Sequence, residues 1–199
     1  MFVLLPGGRV NTSIGIDGWR SDTGVAPFFI SKFELTVDHW VRLGLRQIDW
    51  RDAEDRMLPA HSFSWLEASD AAHAIGPWIR LPPTSEWVYA SAGWRLHPSR
   101  SDYWDESLAG AANPRGDGRG VQPIGTRCAN PFGIHDMSGK VAEWLADDGR
   151  GLARALGDGD DDGGRLLSAS AYDWRYSHAD GHGEYRIEYG LRPARPLMP

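Results

Sequence analysis

The chain has 199 residues, 41% of them hydrophobic, and a formal net charge of −6. This length suits one domain with a sizeable core, and the negative charge argues against general nucleic-acid binding, which needs a positive surface. The single cysteine, Cys128, excludes an intrachain disulfide and a metal site built from cysteines alone.

The composition indicates an irregular α+β domain. Ten tryptophans accompany 24 glycines and 13 prolines, and helix interiors tolerate glycine and proline poorly. We therefore expect few helices, short strands and long ordered loops held by buried indole rings. No apolar stretch approaches the ~20 residues that span a bilayer, and the first six residues lack the basic start of a signal peptide. The expected location is cytoplasmic or particle-associated.

The N-terminal half contains the clearest local signals. Residues 2–5 and 27–33 read as strands. Thr36 has the position of an N-cap for a helix that continues to about Leu43, with apolar residues at helical spacing. Ser64 and Glu67 match a capping box that opens a second helix, which Gly76 and Pro77 end.

A third, short helix is expected over residues 84–91, followed by loop from 93 to 132. Residues 139–145 read as a buried segment anchored by tryptophan, and 157–164 as a solvated acidic loop. Residues 165–195 read as strand, long loop and strand. No repeat or long linker interrupts the chain, so we expect one domain over 1–199.

Four segments resemble the motifs of one family in the same order. They are FFISKFELT at 28–36, SWLEA at 64–68, RLPPTSEWVYA at 80–90 and NPFGIHDMSGKVAEW at 130–144. The sequence is similar to the formylglycine-generating enzyme (sulfatase-modifying factor) family over residues 2–195. The resemblance implies a C-type-lectin-like α+β fold with two main helices, a small twisted antiparallel sheet and extensive ordered coil.

The residues of these motifs have mainly structural readings. Arg80 and Glu86 are spaced to form an ion pair or to hydrogen-bond the backbone across a proline-terminated turn. Glu34 and Glu143 lie among apolar residues, so their burial requires partners. The indoles of the motifs are expected in the core; they are Trp65, Trp87 and Trp144.

The resemblance also implies metal sites that this sequence changes. Relatives hold calcium with an asparagine and a glutamate at the positions of Lys140 and Glu143. Because a hard cation needs oxygen ligands, we expect that site to be empty, with Lys140 standing in for the ion. Asn113 and Asp117 lie where relatives often hold another calcium, which makes them a possible metal pair.

The family's copper-binding cysteine pair, which generates formylglycine, has no counterpart in residues 165–176. We therefore expect neither copper nor formylglycine-generating activity. His178, Asp180, His182 and Glu184 alternate, as ligands of zinc or iron on one face of an extended segment would; a solvated strand or loop has the same pattern. The acidic run at 158–163 imitates an EF-hand loop, but Ala169 stands at its glutamate position.

Two functional hypotheses remain. In the first, the domain is a non-catalytic recognition module that binds a protein, peptide or glycan through its C-terminal face, as variable proteins of diversity-generating retroelements do. In the second, it is an enzyme or maturation factor that uses Arg175, His178, Asp180 or Arg186. The alternative to a binding face is that the residues of the C-terminal segment simply cover the sheet. The face is rich in aromatic and adaptable polar groups: Tyr172, Trp174, Arg175, Tyr176, His178, Asp180, His182, Glu184, Tyr185 and Arg186.

Overall fold

The computed structural model describes residues 1–11, 22–45, 56–92, 121–126, 129–137, 141–146, 154–156, 167–168 and 188–198. These ranges contain three helices: α1 (Val37–Arg42), α2 (Trp65–Ile75) and α3 (Thr84–Ala92). They also contain nine short strands: β1 (Phe2–Leu5), β2 (Gly8–Asn11), β3 (Asp22–Val25), β4 (Phe28–Ser31), β5 (Val141–Leu145), β6 (Arg154–Leu156), β7 (Leu167–Ser168), β8 (Glu188–Gly190) and β9 (Ala194–Pro196).

The helices begin and end where their capping residues predict. The Thr36 side chain accepts a hydrogen bond from the His39 amide at 3.3 Å. At the start of α2, the Glu67 amide donates to Ser64 Oγ at 3.3 Å, and the Ser64 amide donates to Glu67 Oε2 at 2.8 Å. Gly76 follows the last residue of α2 as its C-cap. The predicted capping box is confirmed, and it satisfies amides that the first helical turn leaves without a partner.

The strands form three small sheets. Strands β1, β4 and β9 form an antiparallel sheet, strands β2 and β3 form a hairpin, and a third sheet has the order β7-β6-β5-β8. The predicted fold class is confirmed, but the pairing is richer than one antiparallel sheet. In the third sheet β5 and β8 run parallel, which is possible because a long stretch of chain separates them.

Strand β5 lies between two hydrophobic clusters, and all five of its residues are buried. Ala142 and Trp144 belong to the first cluster, which includes the buried alanines of α2. Leu145 belongs to the second, which includes the buried residues of α3. Because neighbouring strand residues point to opposite faces, β5 supplies side chains to both clusters. The core thus has α2 and α3 on the two sides of one strand.

The motif tryptophans combine core packing with one hydrogen bond each. Trp87 and Trp144 are buried, as predicted, whereas Trp65 is half-buried. Trp144 Nε1 donates to the Phe63 carbonyl at 2.9 Å, and Trp65 Nε1 donates to the Leu145 carbonyl at 2.7 Å. These bonds tie the start of α2 to β5. Across the described ranges, no helix has the length and apolar character needed to cross a bilayer.

Candidate functional site

The four-stranded sheet holds both ends of the segment that the sequence predicts to bind ligand. Strand β7 ends at Ser168 on one edge of this sheet, and β8 begins at Glu188 on the other edge. Residues 169–187 join these two strands and include all ten predicted ligand-binding residues. We call 172–186 the recognition segment; it lies outside the described residues, so the structure leaves the predicted face untested.

Several other predictions also fall outside the described ranges. These are the acidic loop at 157–164, the suggested calcium residues Asn113 and Asp117, and the proposed stand-in Lys140. The structure does describe the buried residues around β5 and β8, which include the predicted buried carboxylate Glu143.

A buried ion pair joins β5 to the chain that follows β8. Arg192 is fully buried, and Glu143 is 1% exposed. Arg192 Nη2 donates to Glu143 Oε1 at 2.7 Å, and its Nε donates to the same carboxylate at 2.9 and 3.1 Å. Trp87 Nε1 donates to Glu143 Oε2 at 2.6 Å. The requirement that buried Glu143 be satisfied is therefore met by a guanidinium and an indole.

Arg192 also holds two backbone segments. Its Nη1 donates to the Ser31 carbonyl at the end of β4 at 3.2 Å, and its Nη2 donates to the His135 carbonyl at 3.0 Å. The neutralised pair thus connects the three-stranded sheet, the loop at 129–137 and β5. Burial alone lowers the pKa of Arg192, but the carboxyl groups of Glu143, Glu34 and Asp136 together outweigh it and raise the pKa above its usual value.

Glu34 adds a second buried carboxyl to this region. It is 5% exposed, and burial raises its pKa well above the usual value. Arg192 opposes that shift, while the charges of Glu143 and Asp136 reinforce it. Glu34 and Glu143 are therefore two buried carboxyl groups near one buried guanidinium, that of Arg192. Of the two, Glu34 is the one whose protonated form burial favours.

The loop before α2 covers the free edge of β8. The Ser62 amide donates to the Tyr189 carbonyl at 3.1 Å, and His61 forms an isolated bridge with Gly190. A Cβ atom on Gly190 would lie 2.7 Å from the Ala60 carbonyl oxygen, so only glycine permits this approach. The Tyr189 ring stacks on Trp144 with centroids 4.6 Å apart. Strand β8 is thereby fixed to the loop before α2.

The donor set at Glu143 does not fit a calcium site. Both of its oxygens already accept hydrogen bonds from Arg192 or Trp87, and a buried guanidinium 2.7 Å away opposes a second cation. Within the described ranges, no group of three or more histidine, cysteine, aspartate or glutamate side chains could hold a metal ion. The four alternating residues at 178–184 lie outside those ranges.

The sequence reading missed Arg192. It predicted that buried Glu143 needs partners but named none, and Arg192 stands 49 positions further along the chain. A signal was present, because an arginine between Leu191 and Pro193 beside a strand has apolar neighbours and requires a counter-charge. The predicted Arg80–Glu86 pair, in contrast, is confirmed, with bonds of 2.9 and 2.7 Å.

The fold, with its three helices and small sheets, is that of a C-type-lectin-like domain of the formylglycine-generating-enzyme type. Residues 1–195 match the family model of the sulfatase-modifying factor enzyme 1-like domain. The chain belongs to that family.

Two curated relatives show how the family domain occurs in longer proteins. The chain is 33% identical over 91 residues to the serine/threonine-protein kinase pkn1 of Chlamydia caviae, which covers 45% of this chain and 14% of that protein. It is 24% identical over 139 residues to the inactive C-alpha-formylglycine-generating enzyme 2 of Mus musculus, covering 64% and 37%. The chain therefore spans well under half the length of either relative.

Solved structures share the fold over nearly the whole chain. The crystal structure of CarF superimposes with a TM-score of 0.64 at 22% identity, covering 100% of this chain and 98% of that one. Treponema denticola variable protein 1 superimposes with a TM-score of 0.68 at 12% identity, covering 98% and 95%. At these identities the likeness is one of fold.

Proposed function

We propose that this domain is a non-catalytic recognition module that binds a protein, peptide or glycan through the recognition segment at 172–186. One observation carries the proposal: a family domain matched over residues 1–195 has no cysteine in its C-terminal segment. Copper-dependent formylglycine generation needs thiolate ligands that this segment cannot supply.

Two similar proteins also support a non-catalytic role. One is named an inactive formylglycine-generating enzyme, and the other is a variable protein with the same fold. The segment itself contains two tyrosines and a tryptophan within five residues, 172–176, and such residues dominate binding hot spots. Strands β7 and β8, which precede and follow residues 169–187 in the chain, lie on opposite edges of the four-stranded sheet.

A selection experiment tests the proposal. Random linear peptides displayed on phage are selected on the purified chain, and labelled synthetic binders are then titrated by fluorescence anisotropy. Trp174→Ala is expected to weaken binding at least tenfold, because truncating an aromatic hot-spot residue costs about 2 kcal/mol or more. Trp78→Ala is the matched control, since this indole is 59% exposed and lies outside the segment.

Two results would contradict the proposal. One is a set of binders that lose affinity equally with Trp78→Ala and Trp174→Ala, which would place binding elsewhere. The other is conversion of a cysteine-containing peptide to its formylglycine form by the copper-treated protein, read by mass spectrometry. We expect no such conversion.

A further inference from the structure

The sheet formed by β1, β4 and β9 has apolar side chains on both of its faces. Phe28 and Ile30 of β4 are buried in the second hydrophobic cluster, whereas Phe29 between them is half-buried and points to the opposite face. We call this opposite face the outer face. The strand register places Leu4 beside Phe29 on one side and Arg195 beside it on the other. An antiparallel sheet with one solvated face usually carries polar residues there, so the outer face requires an explanation.

The apolar surface extends beyond this row of three residues. Leu4 is 48% exposed. Leu197 continues the pairing of β9, because its amide donates to the Pro27 carbonyl at 3.4 Å, and both of these residues are exposed. Exposed apolar side chains from three adjacent chain segments therefore form one patch. Contiguous patches of this kind mark interaction surfaces more often than single exposed leucines do.

One cation lies within the patch. Arg195 is the single charged residue of the three strands. The central carbon of its guanidinium lies 4.0 Å from the centre of the Phe29 ring, which fixes the group over the outer face. Among the described residues, the guanidinium makes no hydrogen bond and no ion pair. Its five N–H donors match the geometry of a carboxylate, so the group can accept an acidic partner.

The charge of the outer face distinguishes between its possible occupants. A second copy related by a two-fold axis would present the same three strands, which contain no carboxylate for Arg195. An anionic membrane surface attracts clusters of four or more cations, whereas these strands contain one and the chain has a net charge of −6. A protein segment with a carboxylate between apolar side chains complements both the cation and the patch.

We infer that the outer face of the β1–β4–β9 sheet is a docking surface for a protein or peptide partner that carries a carboxylate between apolar side chains. The carboxylate pairs with Arg195, and the apolar side chains cover Leu4 and Phe29. Aromatic residues and arginine are enriched in protein interfaces, which agrees with this assignment. The inference does not depend on the proposed function, because the residues that carry it all lie in β1, β4 and β9 or next to them.

A selection with built-in depletion tests the surface. Phage-displayed random peptides are first depleted on the double variant Leu4→Ser/Arg195→Gln, which removes peptides that bind elsewhere, and are then selected on the parent chain. Labelled synthetic copies are titrated by fluorescence anisotropy. Leu4→Ser alone should raise the Kd about tenfold, because it removes an apolar contact at the interface. Val41→Ser is the matched control, since Val41 lies on α1 and is 49% exposed, and it should leave the Kd unchanged.

A double-mutant cycle tests the carboxylate. Replacing the acidic residue of a selected peptide by its amide should weaken binding to the parent about tenfold, because a charge-assisted hydrogen bond is lost. The same replacement should weaken binding to Arg195→Gln less than about threefold, because the cation is already absent. Arg42→Gln, on exposed α1, should show the full effect seen with the parent.

Four results would overturn the inference. One is a failure to enrich any peptide on the parent over the double variant, and another is an acidic residue that contributes equally with and without Arg195. The third is sedimentation of the chain with phosphatidylcholine–phosphatidylserine vesicles that Leu4→Ser abolishes, which would assign the face to a membrane. The fourth is loss of peptide binding in Trp174→Ala, which should retain parental affinity. Peptides that depend on Leu4 and Arg195 but not on Trp174 support the docking surface whether or not the recognition segment binds a ligand.

Discussion

At the scale of single residues, Arg192 and Glu143 form an ion pair that is almost completely buried. Burying either charge alone is costly, and each is tolerated because the other lies within hydrogen-bonding distance. The pair also connects β4, β5 and the loop at 129–137 through the carbonyls of Ser31 and His135. Removing one partner should therefore affect more than one local contact.

Arg192→Met is expected to lower the free energy of unfolding by about 3–5 kcal/mol, because it leaves the Glu143 carboxylate buried without its guanidinium. Urea denaturation followed by circular dichroism measures the change. Arg42→Met provides the control, since Arg42 pairs with Asp38 at 2.8 Å while its side chain is 76% exposed. That control should lose no more than about 1 kcal/mol. Equal losses in the two variants would contradict the importance of burial.

Glu34 predicts an unusual pH dependence. Because burial raises its folded pKa well above 4.5, the folded protein keeps a proton that the unfolded chain releases near pH 4.3. The stabilisation from protonated Glu34 is complete below that pH and is lost as pH rises toward the folded pKa. Glu34→Gln keeps the neutral shape, so its stability relative to the parent should grow with pH above about 4.3, by up to ~1.4 kcal/mol per unit.

Melting temperatures of the parent and the Glu34→Gln variant from pH 4 to pH 8 test this sign. A difference in melting temperature between the two proteins that stays constant, or that shrinks as pH rises, would show that Glu34 is ionised in the folded protein. Asp38→Asn serves as the surface control, because Asp38 pairs only with the exposed Arg42 among the contacts described for it. The difference in melting temperature between Asp38→Asn and the parent should change little over the same pH range.

At the scale of elements, the sequence predicted what local chemistry decides. The capping box at Ser64, the N-cap at Thr36 and the ion pair of Arg80 with Glu86 all join residues six positions apart or fewer. Such contacts leave a fixed spacing that can be read directly. These features of the fold could therefore be predicted from the order of the residues alone.

The pairing of distant elements could not be predicted in the same way. Three contacts join residues that lie far apart in the sequence: the parallel pairing of β5 with β8, the bridge between His61 and Gly190, and the bond between Arg192 and Glu143. No periodicity marks the partner of a short strand, and strands of two to five residues carry little register information. For the candidate site, the sequence therefore named a segment but not the buried contacts of Arg192 with Glu143 or of β8 with the loop before α2.

The capping box of α2 supports a prediction at this scale. Ser64→Ala should lower the free energy of unfolding by about 1 kcal/mol, because the Glu67 amide loses its acceptor at the helix start. Ser64→Asp, which retains an acceptor, should lose less than half of that. Chemical denaturation of both variants gives the comparison. An aspartate variant as unstable as the alanine variant would mean that the serine contributes by something other than capping.

At the scale of the whole molecule, β5 makes the two hydrophobic clusters interdependent. Ala142 and Trp144 belong to the cluster that contains α2 residues, and Leu145 belongs to the cluster that contains α3 residues. Trp87, from the second cluster, donates to Glu143 on the same strand, while Trp144 donates to Phe63 in the first. Loss of β5 would therefore open both sides of the core together, which predicts one cooperative unit over the chain.

We expect urea unfolding to show a single transition with the same midpoint by tryptophan fluorescence and by far-ultraviolet circular dichroism. Coincident probes are the signature of two-state unfolding. The interdependence also predicts that Trp144→Phe, which removes the bond to the Phe63 carbonyl, shifts both probes equally and keeps them coincident. Two separated midpoints would show that the α2 and α3 sides unfold independently. In that case β5 would belong to one side alone, and Arg192 would stabilise that side without coupling it to the other.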